Sequence, residues 1–177
     1  ARPLDSDVLN FWRPRCARIA AWLIDHERNW RQGAKPQVCE ITGRITIENL
    51  TLKARADRID IRDDGTAALI DYKSAGNYSG KAIETGLNPQ LALEALILQD
   101  GGFADLSGYR PGYIGYWCLT GGDPAGETVT PKNKDMDALY RTTRDGIQAL
   151  IAAFADAGTP YLSLPRDGLA PRYNDYE

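Results

Sequence analysis

A chain of 177 residues with 43% hydrophobic content can bury one ordinary core and is most simply one domain. Its 21 Lys and Arg against 24 Asp and Glu give a net charge of −3, which excludes a globally basic nucleic-acid binder but not a local basic patch. Three scattered cysteines (Cys16, Cys39, Cys118) and the lone His26 match no zinc or iron–sulfur ligand spacing, and no stretch approaches the roughly 18 apolar residues that span a bilayer. The expectation is a cytoplasmic chain with reduced, buried thiols, no iron–sulfur cluster and no membrane contact.

Neither end carries a natural signal. There is no initiator Met, Ala1-Arg2-Pro3-Leu4 reads as mid-helix or linker, and the chain stops after Tyr176-Glu177 without a terminator. A single domain over residues 1–177, cut from a longer protein, is expected.

In chain order, Phe11, Trp12, Ile19, Trp22 and Leu23 recur at three- and four-residue spacing, predicting an amphipathic helix over 8–30 that is kinked or restarted at Pro14. Alternation predicts strands over 38–47 and 50–61, joined by a turn at Glu48-Asn49. Asp63-Asp64-Gly65 is a stronger turn, and residues 67–72 form an apolar run suited to a central strand covered on both faces. Residues 74–87 read as a Gly/Ser-rich loop. Asn88-Pro89 predicts a helix with Asn as cap and Pro first, ending near Gly101-Gly102. A strand over 109–119 and a helix over 135–154 complete an α/β chain with a mixed sheet flanked by helices.

The chemistry concentrates between Ala54 and Lys73. On a strand, Asp71 and Lys73 share a face and Tyr72 points away. Asp71 follows the most apolar strand of the chain, where an unpaired carboxylate carries a desolvation penalty. A salt bridge to Lys73 alone is the simplest account. With Asp57 at the neighbouring strand end, however, two carboxylates supply the oxygen donors that Mg²⁺ or Mn²⁺ takes beside a phosphate, and Lys73 can orient a water and stabilise developing charge. Taken alone, Asp57 reads first as a solvated strand residue with cross-strand ion pairs, and Gln90 equally as a polar residue of a first helical turn. Asp60 falls on the other face and is expected to pair with Arg58 or Arg62.

Ala54-Arg55-Ala56-Asp57-Arg58-Ile59-Asp60, Ile70-Asp71-Tyr72-Lys73-Ser74, Ser79-Gly80-Lys81, Pro89-Gln90-Leu91-Ala92-Leu93-Glu94 and Tyr116-Trp117-Cys118-Leu119-Thr120-Gly121-Gly122 follow one another in order. This ordered set resembles the PD-(D/E)xK nuclease superfamily, in its RecB-like branch, and within it the C-terminal nuclease domain of the alphaproteobacterial AddB family. The similarity runs from Phe11 to the tail at Pro171. It implies a restriction-endonuclease-like core and Mg²⁺ (or Mn²⁺) held by Asp57, Asp71 and the Tyr72 main-chain carbonyl. It implies Lys73 as the catalytic lysine and Gln90 beside the scissile phosphate or supporting Lys73. The implied activity is a DNA exonuclease that processes double-strand break ends in a complex with an AddA-type helicase–nuclease subunit.

Three departures from the family pattern stand out. Glu94 occupies the tyrosine position of Gln-x-x-x-Tyr, one helical turn from Gln90. His26 lies late in its helix and does not match the family's upstream metal-binding histidine, so it reads as a surface or helix-packing residue. The cysteines do not reproduce the iron–sulfur spacing of some relatives. Lys53, Arg55, Lys81 and Arg110 are candidate DNA-phosphate contacts, with Lys81 best placed. Glu40 reads as an edge-strand acid, and Tyr116 and Trp117 as core residues before base-stacking ones. The competing function is a nuclease-like DNA-binding or assembly scaffold without catalysis.

Overall fold

The computed structural model describes residues 6–162 except Ala75, and side chains from residue 9 onward; the tail at Pro171 included in the resemblance lies outside the described residues. The elements are α1 (Ser6–Trp30), β1 (Ala34–Ile47), β2 (Leu50–Arg62), β3 (Ala67–Lys73), α2 (Gly80–Glu84), α3 (Gln90–Gln99), β4 (Pro111–Cys118), β5 (Glu127–Val129) and α4 (Met136–Ala155), with a 3₁₀ turn at Ala104–Leu106. The sheet order is β1-β2-β3-β4-β5, with β3 and β4 parallel and every other pair antiparallel. The expected mixed sheet flanked by helices is what forms. Among the described residues no helix is long and apolar enough to cross a membrane.

β3 is the central strand. Ala67, Ala68, Leu69 and Ile70 are all fully buried, because both faces of the strand are covered. One face meets α3, whose Leu91, Ala95, Leu96 and Leu98 join Leu69, Ile114 and Tyr116 in the core. The other face meets α1 through Trp30, whose ring lies 4.9 Å from that of Tyr113 at a tilt of 56°, and His26, edge-on to Trp117. Alternation along β3 therefore sends Asp71 and Lys73 toward α3 and Tyr72 toward α1.

Several local expectations need correction. The helix α1 is continuous through Pro14. Residues 74–87 are not all loop: Ser79 caps α2, its hydroxyl accepting from the Ala82 amide at 3.1 Å. Pro89, not Asn88, is the residue that opens α3, since the first i→i+4 bond runs from the Leu93 amide to the Pro89 carbonyl. β1 starts four residues earlier than alternation suggests, taking in Pro36 at a register shift on the sheet edge, where a missing donor is tolerated. The short β5 is absent from the expected elements because three residues carry no readable period. Cys16 and Cys39 are exposed, and only Cys118 is buried as expected.

Candidate active site

Antiparallel pairing matches Arg58 with Ile70, so the next step along the ladder brings Asp57 beside Asp71. Asp57 is held there by the main chain: its Oδ2 accepts a hydrogen bond from the Tyr72 amide at 3.1 Å. Asp71 is 1% exposed, and its Oδ2 lies 2.6 Å from Lys73 Nζ as an ion pair, without a well-directed hydrogen bond. Lys73 Nζ donates to Gln90 Oε1 at 3.0 Å, and Gln90 Nε2 donates back to Asp71 Oδ1. Asp71, Lys73 and Gln90 thus form a closed triangle at the junction of β3 and α3. The Lys73 ammonium also lies 5.4 Å from the centre of the Tyr116 ring.

The electrostatics follow from burial. Desolvation raises the Asp71 pKa; the Lys73 ion pair opposes this and the Asp57 charge adds to it. For Lys73, desolvation pulls the pKa down, but the ion pair with Asp71 outweighs it, so the pKa is raised. Two neighbouring carboxylates, Asp57 and the buried Asp71, present the hard oxygen set a divalent cation takes. The donor chemistry therefore fits Mg²⁺ or Mn²⁺ at Asp57 and Asp71.

The sequence matches the PD-(D/E)XK nuclease superfamily over residues 3–162. The chain belongs to that superfamily. It is also similar to uncharacterized proteins of rickettsiae: one of Rickettsia bellii, 28% identical over 104 residues, which are 56% of this chain and 12% of the relative. A second, of Rickettsia typhi, is 35% identical over 85 residues, covering 46% of this chain and 10% of the relative. The chain spans about a tenth of the length of these curated relatives.

Within this superfamily chain the other expected residues fall as follows. Asp60 is a structural residue on the α1 side, in keeping with its face of the strand. It takes two hydrogen bonds from Arg58, at 2.7 and 2.6 Å, and one from Trp30 Nε1 at 2.7 Å. Arg58 reaches on to Glu27 and donates to the Tyr72 hydroxyl at 2.9 Å. Arg55 is exposed and already ion-paired with Glu40, which makes it a weaker phosphate candidate than Lys81, exposed on α2. Tyr116 and Trp117 are buried in the core. His26 stacks on Trp22 on the α1 face, on the opposite side of β3 from Asp71 and Lys73.

Glu94 is the site residue that sequence alone leaves between a solvated and a site-facing position. It is 1% exposed, and its Oε1 accepts from Gln90 Nε2 at 3.2 Å. Burial raises its pKa to about 7; the Gln90 hydrogen bond opposes this, and the charges of Asp71 and Asp57 add to it. A signal for this is present in the sequence: an acid one turn after Gln90, inside the apolar run Leu91 to Leu98, has no polar face to occupy.

Proposed function

We propose that this chain is a metal-dependent deoxyribonuclease domain of the AddB type, cleaving phosphodiester bonds at double-strand break ends in a cytoplasmic complex with an AddA-type helicase–nuclease subunit. The observation that carries the reading is the closed Asp71–Lys73–Gln90 triangle with Asp57 beside it. Asp57 and Asp71, with the Tyr72 main-chain carbonyl, would hold Mg²⁺ or Mn²⁺, which supplies Lewis-acid charge at the phosphate. Lys73, fixed by Gln90 and Asp71, orients the attacking water and stabilises charge on the phosphoryl oxygens. The water oxygen bonds to phosphorus in line with the departing 3′-oxygen, whose P–O bond breaks; the water's proton passes to solvent and the leaving oxygen is protonated in turn. Membership of the nuclease superfamily and the similarity of the ordered motifs support this reading.

The test is degradation of DNA with Mg²⁺ or Mn²⁺ by the unsubstituted chain, Asp71→Ala and Lys73→Ala. Loss in both variants is expected, and equal degradation by all three overturns the assignment. A second reading, DNA binding without cleavage, is favoured by one observation: both Asp71 oxygens are engaged by the protein itself, Oδ2 by the Lys73 ammonium at 2.6 Å and Oδ1 by the Gln90 amide. DNA binding retained with no cleavage by any of the three chains would establish it.

A further inference from the structure

The side-chain amide of Gln90 can face its neighbours in two ways, because its oxygen and nitrogen ends are nearly the same shape. In this site Nε2 has two acceptors, Asp71 Oδ1 and Glu94 Oε1, the latter at 3.2 Å. Oε1 then faces Lys73 Nζ at 3.0 Å. Turning the amide over would set its oxygen against two carboxyl groups and its N–H groups against an ammonium. Lys73 at the oxygen and Asp71 at one N–H set which way the amide faces, and the second N–H is left for Glu94, whose Oε1 takes it and adds a third point of hold.

Glu94 is costly where it stands. Its Oε2 is buried without a hydrogen-bond partner, and Leu91, Ala95 and Leu98 on the same helix are buried apolar residues. An apolar side chain of similar volume would pack there without that cost. Nothing in the packing of α3 asks for a carboxyl group, so the reason for one lies in what its other oxygen does. Oε1 accepts from Gln90 whether or not Oε2 carries a proton, so this role does not depend on ionisation.

We propose that Glu94 is a positioning residue of the site, taking the second N–H of Gln90 and so tightening the hold that Asp71 and Lys73 have on an amide whose oxygen is presented to Lys73. This rests on the nuclease reading for its consequence in catalysis, but the hold itself is a property of the side chains alone. Glu94→Leu removes the acceptor and keeps the volume, and Glu94→Gln keeps an acceptor oxygen without the charge.

The experiment compares the unsubstituted chain, Glu94→Gln, Glu94→Leu and, as a second apolar variant, Glu94→Met. The readouts are DNA cleavage with Mn²⁺ and hydrogen exchange of the Gln90 side-chain amide by NMR. The expected result is faster Gln90 amide exchange and about a tenfold fall in kcat with little change in KM in the two apolar variants, the scale of one lost orienting contact. Their thermal stability is unchanged or raised, and Glu94→Gln stays close to the parent. Unchanged amide exchange and full activity in Leu or Met overturn the proposal, as does Glu94→Gln behaving like Glu94→Leu. If the unsubstituted chain does not cleave DNA, the nuclease reading fails on that control, and Gln90 amide exchange alone decides the hold.

Discussion

Gln90 and Lys73 come from different elements, the first turn of α3 and the end of β3, yet their side chains meet at 3.0 Å with the amide oxygen accepting from the ammonium. The contact ties β3 to the helix that covers it. Lys73 is also paired with Asp71, so the ammonium is fixed from two sides.

Removing that tie is expected to leave the fold intact and lower catalysis. Gln90→Met keeps the helix and most of the volume but takes away both the acceptor for Lys73 and the donor to Asp71. Cleavage is expected to fall about ten- to a hundredfold, the range that misplacement of a positioned group produces. Circular dichroism should show unchanged helix content. Full activity in Gln90→Met would remove Gln90 from the site.

Stability in the absence of divalent metal should fall as pH rises. Glu94 has a folded-state pKa of about 7 against an ordinary value of 4.5, so between those values the folded chain binds more protons than the unfolded one. Its contribution is fully present below about pH 4.5 and is lost as pH rises through about 7, amounting to something on the order of 3 kcal/mol at most. Asp71, also raised by burial, acts in the same direction. Melting temperatures in EDTA across this window should decline in the parent and decline less in Glu94→Gln; parallel curves would refute the assignment to Glu94.

Much of the site is legible in the sequence. The face-sharing of Asp71 and Lys73 follows from strand period alone, and the burial of Ala67 to Ile70 from four consecutive apolar residues. Pairing across elements is what a single sequence does not carry. Asp57 counts as a neighbour of Asp71 only once the β2–β3 register is known, and taken alone it reads first as a solvated residue. Arg58 reads as one of several strand charges, yet it is the hub joining Glu27, Asp60 and Tyr72. Short elements such as α2 and β5 lack enough residues for a period to show.

That hub carries a stability prediction. Arg58 and Asp60 are both buried, so Arg58→Met leaves the Asp60 carboxylate, among the described residues, with Trp30 as its remaining side-chain donor. Breaking one side of a buried pair costs about 3–5 kcal/mol, more than the apolar packing of a methionine returns. Urea denaturation should show a lowered midpoint with an unchanged slope, and Trp fluorescence should report looser packing at Trp30 and Trp117. A loss below about 1 kcal/mol, the range of surface pairs, would mean that the network is solvated in solution.

Phosphate contacts should be unequal. Lys81 is exposed, and among the described residues it has no ion-pair partner, whereas Arg55 is engaged by Glu40. Lys81→Ala is expected to weaken DNA binding uniformly across sequences and to reduce the slope of log affinity against log salt by about 1. Arg55→Ala should change less, and Glu40→Ala should tighten binding by freeing Arg55. Binding titrations at several salt concentrations separate these outcomes; equal effects of Lys81→Ala and Arg55→Ala would show that the Glu40 pair does not hold in solution.

Divalent metal should stabilise the fold through Asp71 in particular. Without a cation, Asp57 and Asp71 repel each other, and among the described residues the compensating charge paired with Asp71 is that of Lys73. A cation that binds only the folded chain adds stability by mass action, about 2.7 kcal/mol at a concentration a hundred times its dissociation constant. The melting temperature of the parent should therefore rise with Mn²⁺, and rise more at pH 8 than at pH 5, where protons compete for a carboxylate whose pKa is raised. Asp71→Asn removes the repulsion with Asp57 but also the charge partner of Lys73, so its melting temperature in EDTA should stay near that of the parent, and it should gain little from Mn²⁺. A cation-dependent rise of the same size in Asp71→Asn would place the metal elsewhere on the chain.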